Sequence, residues 1–149
     1  MLSLVDVGRK LEPGFLVLAW AATTSALTLV QIFQGNLTPL QYYGGVSTQI
    51  LSPAIVFYLE IFALSTFAGM VIRDPQRALF SFIGCYVLAG LTTILVLMLP
   101  VFANASLVTP ELVFGYSILD AFTAFFPIPL IAGLAGTFLG AGLGEHFLQ

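Results

Sequence analysis

Pro53-Ala54-Ile55-Val56-Phe57-Tyr58-Leu59-Glu60-Ile61-Phe62-Ala63-Leu64-Ser65-Thr66-Phe67-Ala68-Gly69-Met70-Val71-Ile72 carries one charge, Glu60, and is bounded by Ser52 on one side and Arg73-Asp74-Pro75 on the other. A helix of about 20 residues rises 1.5 Å per residue and covers roughly 30 Å, the thickness of a bilayer's hydrocarbon. The run therefore predicts a membrane-spanning helix. The composition around it agrees: of 149 residues 59% are hydrophobic and 7% charged, and the mean hydropathy is +1.06. A soluble domain of ordinary composition has roughly a quarter charged residues.

Three more runs of this kind flank the first. They are Gly14 to Phe33, Ala78 to Leu99, and a stretch within Ser117 to Leu143. The expected architecture is thus an all-α integral membrane protein, a single transmembrane domain over residues 1–149 with four spans at about 14–33, 53–72, 78–99 and 117–143. The apolar run continues past Ala21 to Phe33 behind a leader containing Asp6 and Glu12, which suits a retained first span better than a cleaved signal peptide.

All four basic residues lie at two places, Arg9-Lys10 and Arg73 to Arg77, while the connections from Gln34 to Ser52 and from Pro100 to Tyr116 have none. Basic residues mark the cytoplasmic side, so both termini are expected inside, with Tyr42, Tyr43 and Tyr116 at the outer interface. The protein is accordingly placed as a multi-pass membrane protein, in the cell membrane if its source is prokaryotic.

Proline marks the helix starts. Glu12-Pro13, Thr38-Pro39, Ser52-Pro53, Asp74-Pro75 and Thr109-Pro110 each place a capping or polar residue before a proline, and proline at the first helical position loses no hydrogen bond. Pro39 and Pro110 predict short interfacial or re-entrant helices in the two outer connections. A five-residue turn, 73–77, is expected on the inner side. Pro127 and Pro129 should break the fourth segment and leave the carbonyls of Thr123 and Phe125 in need of other donors. In lipid those groups must be satisfied by protein or trapped water, so the break is expected to face the bundle interior.

The outer connections also resemble each other. Thr38-Pro39-Leu40-Gln41-Tyr42-Tyr43-Gly44 aligns with Thr109-Pro110-Glu111-Leu112-Val113-Phe114-Gly115, and each follows a span that opens with an acid and a proline. This alignment predicts a tandem repeat of two helical hairpins related by a pseudo-twofold axis along the membrane normal.

Glu60 is the leading candidate for function. It lies about 10 Å below the outer edge at helical rise, and an acidic residue in the membrane faces the bundle interior, a watery cavity or a partner. Asp120 is expected at a comparable depth, and Tyr116, Asp120 and Thr123 share a helical face at i, i+4 and i+7. Were Glu60 and Asp120 to meet, they would form a proton or cation site. No Lys or Arg stands at that depth, so the acids need a proton, water, an ion or a basic residue from another protein. Gly136, Gly140 and Gly144 form a seam for close helix packing, with Ser65 and Gly69 a weaker one on the second span. Asn36 and Asn104, both in outer connections, head N-x-S/T glycosylation sequons.

Cys85 is the only cysteine and His146 the only histidine. That excludes an internal disulfide, a C-x-x-C redox pair and a bis-histidine haem within the chain. No catalytic residue, metal or cofactor is expected, and the scarcity of basic residues excludes nucleic acid as a partner. The reading leans away from an enzyme. The expected partners are the lipid bilayer and other membrane subunits, or further copies of the chain. Two functions remain open: a small non-catalytic subunit or assembly partner of a larger membrane complex, docking through glycine-rich helix faces, or a small oligomeric channel or transporter that uses Glu60, with Asp120, as a proton or cation site.

Overall fold

The computed structural model describes residues 13–37, 51–103 and 109–147. Among them every element is helical: α1 Pro13–Phe33, α2 Leu51–Ile72, α3 Pro75–Leu97, the one-turn α4 Leu99–Phe102, α5 Pro110–Phe125 and α6 Ile128–Phe147. Four of these, α1, α2, α3 and α6, are long and apolar enough to cross a membrane. The chain is therefore an all-helical, multi-pass bundle by length and composition.

Pro13, Pro75 and Pro110 open helices as the sequence places them, whereas α2 begins at Leu51, two residues before Pro53, and Pro39 lies outside the described residues. Asp74 caps α3, its carboxylate accepting from the backbone N–H of Gln76 at 2.9 Å and of Arg77 at 3.4 Å, with Pro75 next. The inner turn is shorter than the five residues expected. Only Arg73, in a left-handed conformation at φ 64°, and Asp74 separate α2 from α3, which makes these helices antiparallel neighbours.

The fourth expected span, 117–143, is not one helix. A helix begins at Pro110 and runs on to Phe125 in place of a short interfacial one, and a second begins at Ile128. The break falls at the cis Phe126–Pro127 bond. Phe126, ahead of a proline, is extended, as the clash with the proline ring requires. Pro129 sits in the first turn of α6, where its missing N–H removes no helical bond. The helix long enough to cross lies entirely after the break, at Ile128–Phe147.

The helices pair in two parallel couples. Along α1 and α3, Trp20 meets Phe82 with ring centroids 5.8 Å apart, Thr24 Oγ1 lies 4.0 Å from Cys85 Sγ, and Ser25 Oγ lies 3.1 Å from Thr93 Oγ1. Residue numbers rise together on both helices, so they run the same way. Among the described residues, α2 and α6 make the most extensive helix contact. Cβ atoms built on Gly136, Gly140 and Gly144 would run into the carbonyl oxygens of Phe62, Thr66 and Met70 respectively, again in parallel order. Only residues without a side chain permit backbones this near, and in lipid such van der Waals contact stands in for the missing hydrophobic drive.

This contact is reciprocal. Gly140 abuts the Thr66 carbonyl, and Gly69 abuts the Thr137 carbonyl. Gly69 and Gly140 are 71 residues apart, as are Thr66 and Thr137. Likewise Gly136 faces Phe62, while a Cβ built on Gly133 would meet the Phe82 ring first and lie 3.4 Å from Ser65 Oγ, and both swaps again have a separation of 71. An interface in which i touches j while the counterpart of j touches the counterpart of i has twofold character.

The interior joins an aromatic chain to a set of hydroxyls. Trp20, Phe82, Tyr86 and Phe125 are buried in series, with the Phe82–Tyr86 and Tyr86–Phe125 centroids 4.8 and 5.1 Å apart. Thr28, Thr93 and Thr137, all fully buried, donate to the carbonyls of Thr24, Ala89 and Gly133 on their own helices at 2.8 Å. The Tyr86 hydroxyl donates to the Phe125 carbonyl at 2.9 Å. That bond satisfies a carbonyl left without a helical partner where α5 ends, and it holds the end of α5 against α3.

Candidate functional site

Glu60 sits on the edge of α2. On one flank are the buried Phe57 and Ile61, and on the other the exposed Val56, Ala63 and Phe67, at i−4, i+3 and i+7. The carboxyl is half-buried, and its Oε2 is shielded by protein without a hydrogen-bond partner among the described residues. Every buried hydroxyl of the previous paragraph finds an acceptor, so this oxygen stands out. Native structures leave few buried polar atoms unsatisfied, and each calls for a reason.

Asp120 is half-buried on α5, while Tyr116 and Thr123 on the same helix are exposed. The Thr123 hydroxyl turns back on its own helix, donating to the carbonyls of Leu119 at 2.7 Å and Asp120 at 3.0 Å. The stripe therefore stays on the helix surface. α5 packs chiefly on α3, and α2 chiefly on α6; no hydrogen bond joins Glu60 to Asp120 among the described residues. The two acids belong to different helix pairs.

Gly69, Gly136, Gly140 and Gly144 all lie in the α2–α6 contact, and Ser65 lies there too, with its Cβ 3.2 Å from the position of a Cβ on Gly136. The glycine face is filled by the chain itself. Asn36 lies in the turn after α1, where its amide donates to Gln31 Oε1 at 2.7 Å and Gln34 Oε1 at 3.0 Å. Asn104, together with the stretch from Thr38 through Tyr42, Tyr43 and Gly44, lies outside the described residues.

Comparison with known protein families, with curated proteins and with solved structures finds no match.

Three features were not singled out from the sequence. Thr24, Thr28 and Gln31 form a buried stripe on α1 at i, i+4 and i+7, joined by Ser25; the spacing was there to be read, hidden among the apolar residues between. Thr66-Phe67-Ala68-Gly69 also recurs as Thr137-Phe138-Leu139-Gly140, the same four positions that make the reciprocal contact. A groove of about 280 Å³ opens between α3 and α5, lined by Val87, Leu91, Ile118, Phe122 and Phe126 with Tyr86 at its floor. No sequence pattern announces it, because it follows from where α5 stops.

Chemically, this is a site of one carboxyl. Among the described residues no three His, Cys, Asp or Glu side chains gather as metal ligands. What Glu60 offers is a carboxyl on a helix apolar and long enough to cross a membrane, beside side chains that stay exposed among the described residues.

Proposed function

We propose that the protein is a small, non-catalytic integral membrane subunit that assembles with other membrane proteins, and that Glu60 takes part in that assembly. The observation that carries this reading is the half-buried Glu60 carboxyl at the rim of an exposed helix face, whose Oε2 finds no donor among the described residues. An acidic residue within a span costs about 2.5 to 3.5 kcal/mol to insert. A neutral interhelical hydrogen bond returns only about 0.6 kcal/mol. A cation about 4 Å away, at an effective dielectric constant near 20, returns about 4 kcal/mol, which offsets most of the roughly 5 to 7 kcal/mol that inserting both charges costs. The basic residues of this chain lie elsewhere in the sequence: Arg73 is 13 positions from Glu60, about 20 Å along a helix, and Arg77 is farther still.

Within this proposal the chain crosses the membrane four times with both termini inside. The four-to-none distribution of basic residues supports that orientation, and the parallel couples α1 with α3 and α2 with α6 support the alternating crossings. The proposal also includes descent from a duplicated helical hairpin. Its support is the reciprocal Gly69–Thr137 and Gly140–Thr66 contact, the recurrent Thr-Phe-x-Gly, and the 71-residue offset that also relates Thr38-Pro39 to Thr109-Pro110. Because the glycine face is occupied by α2 packing on α6, docking is assigned to the lipid-facing side of α2.

The test is purification of the tagged protein from its native membrane in mild detergent, followed by native mass determination. Other membrane proteins in fixed stoichiometry are expected, and Glu60→Leu should release them. A pure homo-oligomer whose proton or cation flux in liposomes is abolished by Glu60→Gln would replace this reading with a channel or transporter.

A further inference from the structure

We infer that the α2 face formed by Val56, Glu60, Ala63 and Phe67 docks a transmembrane helix of another protein, and that this helix presents an arginine or lysine to Glu60 in the outer third of the membrane. The inference rests on the subunit reading above and gives its partner a chemistry.

The two halves of the fold supply an internal control. The 71-residue offset set by the reciprocal glycine contacts pairs Glu60 with Ile131 and Phe67 with Phe138. Ile131 is 64% exposed, and Phe67 and Phe138 are 67% and 47% exposed. One half therefore presents an ordinary apolar residue to lipid where the other has a carboxyl. Packing of α2 against α6 does not require an acid there, since α6 holds the equivalent position with isoleucine. The acid has a use outside the chain.

Charge complementarity selects the occupant. Val56, Ala63 and Phe67 around the carboxyl are apolar and exposed, as suits a helix-sized contact. Residue 60 is the only ionisable position of the stripe, so the matching group is a single cation reaching one carboxylate. A second copy of this chain does not provide it, because its basic residues are Arg9, Lys10, Arg73 and Arg77, none of which lies within the apolar part of a span.

The experiment places a photo-crosslinking amino acid at Phe67 in one variant and at Phe138 in another, each expressed in the native membrane. The crosslinked protein is identified, and its membrane helices are scanned for Arg or Lys. Crosslinking at Phe67 and not at Phe138 is expected. Glu60→Leu should cut recovery of that protein at least tenfold while leaving the chain folded, as Ile131 already does in the other half, and Glu60→Lys should be rescued by a Lys or Arg→Glu change in the partner. A partner that crosslinks at Phe138, or that stays bound to Glu60→Leu, overturns this inference and leaves the subunit reading standing. A chain that purifies without any partner, and crosslinks only to copies of itself, overturns both.

Discussion

Replacing Gly140 with alanine tests the α2–α6 contact where the backbones are nearest. The added Cβ would overlap the Thr66 carbonyl oxygen and stand 2.8 Å from its carbonyl carbon and 2.9 Å from its Cα. All three are backbone atoms, so no rotamer change relieves the overlap. Carbon atoms in contact prefer about 3.5 Å or more, and the helices must part by roughly 0.5 to 1 Å. A gap of that size forfeits about a quarter to a half of each contact's 0.1–0.2 kcal/mol. With on the order of 40 atom pairs along the seam the loss is about 2 kcal/mol, inside the ~1–3 kcal/mol known for overpacked sites. Gly142 is the control: nothing lies within 4 Å of a Cβ there, and alanine should gain about 1 kcal/mol of helix propensity. Gly140→Ala gains the same propensity, so its net loss should be about 1 kcal/mol against a gain of about 1 kcal/mol at Gly142, and the two alanines should differ by the packing loss of about 2 kcal/mol. The assay is reversible unfolding in mixed micelles of rising dodecyl sulfate content, followed by fluorescence of Trp20, the single tryptophan, which is buried against Phe82. If Gly140→Ala unfolds no earlier than Gly142→Ala, α2 and α6 do not approach as described.

The same assay checks two other contacts. Tyr86→Phe removes the donor to the buried Phe125 carbonyl and should cost about 1–3 kcal/mol, the penalty of an unpaired buried acceptor; an unchanged midpoint would mean that the end of α5 is held by other means. Asp74→Ala removes the cap of α3 and should cost about 1 kcal/mol, whereas Arg77→Ala, which breaks only the exposed 3.5 Å pair with Asp74, should stay within about 0.5 kcal/mol. Equal losses would put the stabilisation in the ion pair and not in the cap.

Much of this fold is legible before any packing is considered. Hydrophobic length finds α1, α2 and α3 to within a few residues, because crossing hydrocarbon demands about 20 apolar residues and leaves little freedom. Asp74-Pro75 and Thr109-Pro110 show where helices begin, since a missing N–H is tolerated only there. The fourth segment was harder. Its apolar run continues through Pro127, and hydropathy does not say on which side of a proline the crossing helix lies. The proposed site is legible in part: Glu60 stands out as an acid in an apolar run, whereas its supposed neighbour Asp120 lies on a helix that packs elsewhere. Depth along a helix follows from counting residues, but the direction a residue faces follows from which helices pair.

The sequence by itself determined that the chain is helical, that it is made for lipid, and which residues stand out within it. Composition and run length are properties of single segments, and the bilayer's thickness acts on each segment separately. Packing of helix on helix decided that the glycines serve α2 and α6 of the same chain, that Tyr86 satisfies the Phe125 carbonyl, and that Glu60 keeps an oxygen without a donor among the described residues. Each of these depends on two helices meeting at a particular register. In a chain where nearly every helix face is apolar, close packing and hydrogen bonding choose that register, and the hydrophobic pattern cannot.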